Sequence, residues 1–167
     1  MKEDIKVKAI ENKFRFMHRQ FDQKGQSGEM VPFTLDQESQ GTQKLFALSG
    51  PLIDTLKYGK TLFIDEIDTR LHPLITQFIL GLFHSKTKNP NNAQLICATH
   101  DVQLLSNRIF RRDQIWFTEK NEYNVTDLYS LSDYSVRKDA TFNKDYILGK
   151  YGAVPYVSDR SVLYGIE

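Results

Sequence analysis

Apolar and polar residues alternate over the first part of the chain. IKVKAI (5–10) has the period of a strand, and FRFMHRQF (14–21) places Phe14, Phe16 and His18 on one face. A QKGQSG turn then leads to a second apolar run, MVPFTL, so this region predicts a hairpin. From Thr42 the period lengthens: Leu45, Leu48, Leu52 and Leu56 recur three or four apart, as on one helix face. Gly50-Pro51 interrupts that run and predicts a kink or two short helices. TLFIDEID follows, a short apolar run ending in acids. A helix is then predicted from Pro73 to Lys86, with a stripe of Leu74, Phe78, Ile79, Leu82 and Phe83. Asn89-Pro90-Asn91-Asn92 stops it, and a second buried-type strand, QLICAT, ends at His100-Asp101 before a short helix with Val102, Leu104 and Leu105. Strand, helix, strand in this order is a βαβ unit, so strands 61–65 and 94–99 are expected side by side and parallel. QIWFTEK and YNVTDLYSL flank Asn121-Glu122 as a second hairpin, and FNKDYILGKYG is a helical segment within a polar, Tyr-rich tail.

These patterns place two pairs of chemically able residues at the carboxyl ends of parallel strands, where ligands of open α/β sheets bind. The first strand delivers Asp65 and Glu66, the second His100 and Asp101. An aspartate after a buried strand suits Mg²⁺, which takes one or two carboxylates together with phosphate oxygens and waters. Neighbouring strand residues point to opposite sides, which leaves Glu66 for another task such as orienting a water. The plainer alternative is an acidic strand end in solvent. Upstream, ESQGTQK (38–44) sets Ser39 and Gly41 before a long helix, whose free amides can receive an anion. A simple serine N-cap is the competing reading there.

Composition narrows the class. The chain has 167 residues, 40% hydrophobic and 26% charged, with 11 Phe and 8 Tyr, as a folded globular domain requires. A net charge of +1 signals neither nucleic acid nor an anionic membrane. The single Cys97, inside LICAT, forms no intramolecular disulfide and reads as a small buried residue. MKEDIKVKAI is too charged for a signal peptide, and no run approaches the roughly 20 apolar residues of a membrane span. A cytoplasmic location is expected.

The order ESQGTQK, TLFIDEIDTRLHP, ICATHD and KYGAVPY resembles the C-terminal half of an ABC-type, SMC-like ATPase of the AAA class, closest to those of bacterial restriction, abortive-infection and phage-defence operons. The resemblance spans about residues 30–157. It implies a P-loop NTPase fold: α/β, with a mainly parallel sheet, flanking helices and antiparallel edge strands. It further implies ATP and Mg²⁺ as nucleotide and metal. By the same resemblance Ser39 and Gly41 match the signature motif, which touches a γ-phosphate held by the facing subunit. Asp65 matches the Walker B metal aspartate and Glu66 the glutamate that polarises the attacking water. Asp68 falls in the D-loop at the dimer seam, and His100 matches the switch histidine. Lys44 takes the place of a basic residue after the signature, and an ordinary solvated lysine fits equally well. The implied partners are a second copy of the chain or a P-loop-bearing polypeptide. A nuclease or other effector subunit and nucleic acid are further candidates, and no membrane is implied.

The departure from the family pattern matters as much. No G-x-x-x-x-G-K-[ST] motif is present. Gly59-Lys60-Thr61 imitates its end, but Asp54 stands where the first glycine belongs and a strand follows where a helix is required. Leu48-Ser49-Gly50-Pro51 likewise imitates a signature inside an apolar helix. Without P-loop lysine and amides, strong nucleotide binding by this chain alone is not expected. The chain reads as one partial ATPase domain: antiparallel strands over 1–37, the signature, Walker B, D-loop and switch region over 38–131, and a tail over 132–167. Two other classes compete. Asp65, Glu66, Asp68 and Asp101 could form a metal-dependent nuclease site, in which the serine-glycine motif has no task. Alternatively the domain is a non-catalytic interaction module.

Overall fold

The computed structural model describes residues 14–106, 108–136 and 141–155, and the predicted strand over 5–10 lies outside them. The chain forms two compact units, residues 1–99 and 100–167.

In the first unit, β1 (Phe16–Phe21) and β2 (Ser27–Phe33) form the expected antiparallel hairpin. Phe14 and Phe16 lie edge-on against Phe46, with ring centroids 5.0 and 5.5 Å apart. Helix α1 (Gln40–Tyr58) starts at Ser39, whose Oγ accepts from the Thr42 amide at 3.1 Å. Of the kink or two short helices expected at Gly50-Pro51, the second does not occur: one helix runs through Pro51. The ring sits on the solvent side and nothing crowds Gly50, while buried Leu52 and Thr55 anchor the opposite face. Packing therefore offsets the one backbone bond that proline forfeits.

Gly59 ends α1 in the left-handed conformation at φ 64°, and β3 (Thr61–Ile64) begins two residues later. Lys60 pairs with Asp54 at 2.7 Å. The Gly-Lys-Thr imitation is thus a helix cap, an ion pair and a strand start.

Helix α2 (Pro73–His84) has Pro73 in its first turn, and His72 Nδ1 accepts from the Leu74 amide at 3.2 Å. It buries Thr76, Ile79 and Leu80, whereas Leu74 and Phe78 stand 67% and 66% exposed, off the stripe expected for them. A helix apolar on nearly every side leaves periodicity unable to choose its inner face. Asn89 builds the stop after it: its side chain donates to the carbonyls of Phe83 and Ala93 and accepts from the Ala93 amide, all within 2.9 Å.

Strand β4 (Gln94–Cys97) pairs in parallel with β3, Leu62 beside Leu95 and Ile64 beside Cys97, as the βαβ order predicts. Ile64 is buried with Leu62, Leu95 and Cys97 half-buried on one face, but Phe63 and Ile96 on the other are largely exposed. Among the described residues this is the single parallel pair, and each antiparallel hairpin is a two-stranded sheet of its own instead of an edge of one larger sheet. A hairpin closes its ladder locally, so nothing in its sequence obliges it to join the parallel strands.

The second unit holds the other predicted hairpin, β5 (Trp116–Lys120) and β6 (Thr126–Ser130), and a short helix α3 (Phe142–Ile147). Its core is Ile115, Phe117, Leu131, Phe142 and Tyr151. Phe117 stacks with Tyr146 at 5.6 Å and Tyr151 at 5.9 Å. The surrounding hydroxyls are bonded: Tyr129 and Tyr134 to the Tyr151 carbonyl at 2.8 and 3.1 Å, and Tyr146 to the Ala153 carbonyl at 2.7 Å. Buried tyrosines need such acceptors, and here they fasten residues 151–153. Among the described residues, no helix is long and apolar enough to cross a membrane.

Candidate functional site

The acidic turn grows from a backbone irregularity at the end of β3. The Ala98 amide donates to the Ile64 carbonyl at 3.0 Å and the Ala98 carbonyl accepts from the Ile67 amide at 3.1 Å. Both bonds belong to Ala98, so the two residues between their partners, Asp65 and Glu66, are forced outward. Ile64 and Ile67 are buried on either side while both acids are exposed. Glu66 takes φ 47°, the left-handed region that costs a non-glycine residue about 1–2 kcal/mol. Arg70, four residues on, has φ 65°.

Four contacts fix this turn. The Thr69 amide donates to the Glu66 carbonyl and the Leu71 amide to the Asp68 carbonyl, each at 3.1 Å. The Thr69 hydroxyl donates to Glu66 Oε2 at 3.1 Å, and Lys44 Nζ reaches the Glu66 carbonyl at 2.6 Å. Gly41 completes the arrangement, since a Cβ there would lie 2.9 Å from the Arg70 carbonyl oxygen. The glycine thus permits close approach of α1 to residues 66–70, a reason distinct from access to phosphate.

The first unit accordingly assembles Gly41, Lys44, Glu66 and Thr69, with Ser39 capping the same helix turn and Asp65 and Asp68 flanking Glu66 in the chain. Asp68 is half-buried, and its charge reaches Cys97: burial first and the Asp68 carboxylate second push that thiol up from its ordinary value. Cys97 therefore stays protonated near neutrality and is inert packing. His18 Nε2 meets Glu38 Oε1 at 2.6 Å, tying β1 to the residue before the Ser39 cap.

His100 and Asp101 open the second unit. His100 is exposed, and Asp101 Oδ1 accepts from the Gln103 amide at 2.9 Å, capping a 3₁₀ turn over Val102–Leu104. Asp101 thus has a structural task. Among the described residues no three His, Cys, Asp or Glu side chains converge as a metal cage. Of the acidic turn, Asp65, Glu66, Thr69 and Arg70 are exposed and Asp68 is half-buried.

Thr69 was not legible as a site residue, and Lys44 was ambiguous. One signal was present: Gly41 and Lys44 are three apart, on one helix face, so the bare position and the cation confront the same neighbour. Which neighbour depends on the tertiary fold.

Comparison with known proteins adds one finding. A family profile described as "AAA domain, putative AbiEii toxin, Type IV TA system" matches residues 7–106, more than half of the chain. No curated protein and no solved structure matches.

Proposed function

The chain belongs to this AAA-domain family, and from that premise we propose that it is the signature and Walker B part of an ABC-type, SMC-like ATPase. In this reading it binds and hydrolyses ATP within a nucleotide-driven dimer, and the P-loop comes from another polypeptide or another segment of the whole protein. The setting is phage defence or nucleic-acid processing. The observation that carries the reading is the outward bulge of Asp65 and Glu66 at the end of a parallel strand, held against the first two turns of a 19-residue helix.

Each residue then has a task its surroundings suit. Asp65 is exposed at a strand end, which fits an ion held by one carboxylate, waters and phosphate oxygens with no need of a three-ligand cage. Mg²⁺ there would neutralise charge developing on the phosphoryl oxygens. Glu66, its Oε2 oriented by Thr69, polarises the attacking water as a general base. With the Thr42 amide taken by Ser39 Oγ, the amides ahead of it in the first turn of α1 receive an anionic phosphate beside Gly41. Asp68 lies at the seam between subunits and His100 contacts the γ-phosphate.

The test combines the purified chain with a polypeptide supplying a P-loop and measures Mg²⁺-dependent hydrolysis of ATP and of DNA. Turnover of ATP only in the mixture, abolished by Asp65→Ala, supports the reading. DNA cleavage dependent on Asp65 would replace it with the nuclease. An ATP-driven mass increase that Ser39→Arg prevents in Glu66→Gln protein, with circular dichroism unchanged, would place Ser39 at the dimer seam.

A further inference from the structure

The acidic turn contains two non-glycine residues in the left-handed region, Glu66 at φ 47° and Arg70 at φ 65°. Backbone in that state persists only where its surroundings over-determine it. Both carbonyls face the first two turns of α1: the Glu66 oxygen accepts from Lys44 Nζ at 2.6 Å, and the Arg70 oxygen lies where a Cβ on residue 41 would come within 2.9 Å. One helix face therefore meets the turn at two points, with a cation at one and a missing side chain at the other. The same Glu66 whose carbonyl is held has its carboxylate oriented by Thr69.

We propose that Lys44 is a positioning residue: with Gly41 as its close-packed companion, it clamps the left-handed backbone of Glu66 and so fixes where the Glu66 carboxylate points. The inference rests on the ATPase reading for its catalytic consequence, but the clamp itself is a property of this chain alone. Lysine suits the task because its compact ammonium can reach a single carbonyl oxygen, and a hydrogen bond from a charged donor is stronger than a neutral one.

The test begins with the 167-residue chain and needs no ATP. Amide hydrogen exchange is measured at Thr69 and Leu71, whose bonds close the turn, and at Leu62–Ile64 as reference. Lys44→Met should speed exchange at Thr69 and Leu71 about tenfold and leave the reference unchanged, as loss of one charge-assisted bond requires. Lys44→Arg should restore protection, and Gly41→Ala should mimic Lys44→Met by forcing the Arg70 carbonyl away. Unchanged exchange in Lys44→Met overturns the clamp and leaves the ATPase reading intact. In the P-loop-complemented protein, Lys44→Met should lower kcat about tenfold at constant KM, and add nothing to Glu66→Gln. A raised KM at constant kcat would make Lys44 a direct phosphate contact and overturn its positioning role. A parental rate in Glu66→Gln would instead sink the ATPase reading, and with it any catalytic consequence of the clamp.

Discussion

Two segments of this molecule use left-handed backbone for opposite ends. In the first unit, residues 66 and 70 are a glutamate and an arginine. In the second, residues 149 and 152 are glycines, at φ 79° and 68°, with Ala153 at 54° after them. The second segment packs inward, with Tyr151 buried and tyrosine hydroxyls bonded to the carbonyls of residues 151 and 153. Glycine supplies the conformation at low cost, as a purely structural turn favours. The first segment presents its side chains to solvent and accepts the steric cost of a Cβ at both positions. The exposed segment thus carries a carboxylate and a guanidinium in the left-handed region, where the inward-packed one has glycine at two of its three such positions.

Glu66→Gln should break the comparison most severely. In the P-loop-complemented protein the amide keeps the shape but loses the base, and hydrolysis should fall roughly 10²–10⁴-fold while nucleotide remains bound. A filter-binding measurement beside a phosphate-release assay reads both quantities. Retained turnover would reduce the strained glutamate to an exposed strand end.

Gly152→Ala attacks the other segment. Its Cβ would lie 2.7 Å from the Tyr129 hydroxyl and 2.8 Å from Glu119 Oε2, at a φ unfavourable to alanine. A loss of about 2–3 kcal/mol is expected, from overpacking and strain together. Denaturant unfolding followed by Trp116 fluorescence reports it, since that residue lies on β5 of the same unit.

Base titration should produce a smaller and graded loss in the second unit. Burial, then its bond to Asp145, pushes the Tyr151 hydroxyl up to about 12, and burial with the neighbouring Glu119 carboxylate raises Tyr129 further. The neutral phenol is favoured in the folded state. Its contribution is therefore fully present below pH 10, the ordinary tyrosine value, and is lost as pH climbs through about 12. The phenolate absorbance that Tyr151→Phe removes, if it appeared at the ordinary tyrosine pH without unfolding, would contradict this linkage.

The smallest effect sharpens the contrast. Glu66→Gly should stabilise the first unit by about 1 kcal/mol by relieving the left-handed strain, even as hydrolysis is lost. Exchange at the Ile67 amide, bonded to Ala98, is the local probe. A destabilised variant would mean that the Thr69 bond to the Glu66 carboxylate outweighs the left-handed strain.

Much of the architecture was legible as sequence because local rules govern it. Strand period and turn residues predicted both described hairpins, and Pro73 predicted a helix start. The βαβ order predicted that β3 and β4 run parallel. Asp65 and Glu66 were legible as candidates because an acid after a buried strand has few local reasons to be there. Other features were not local. That α1 continues through Pro51 follows from burial of Leu52 and Thr55, and the inner face of α2 was chosen by its neighbours among several apolar options. The outward bulge of the acids required Ala98, more than thirty residues away, to bond on both sides of them. Lys44 and Thr69 acquired their roles only when a helix and a loop met. Sequence by itself determined which groups stand at strand and helix ends, since those depend on short-range periodicity and capping. Only the tertiary structure decided which of them touch, because a hydrogen bond of 2.6 Å between residues 44 and 66 depends on packing that neither residue encodes alone.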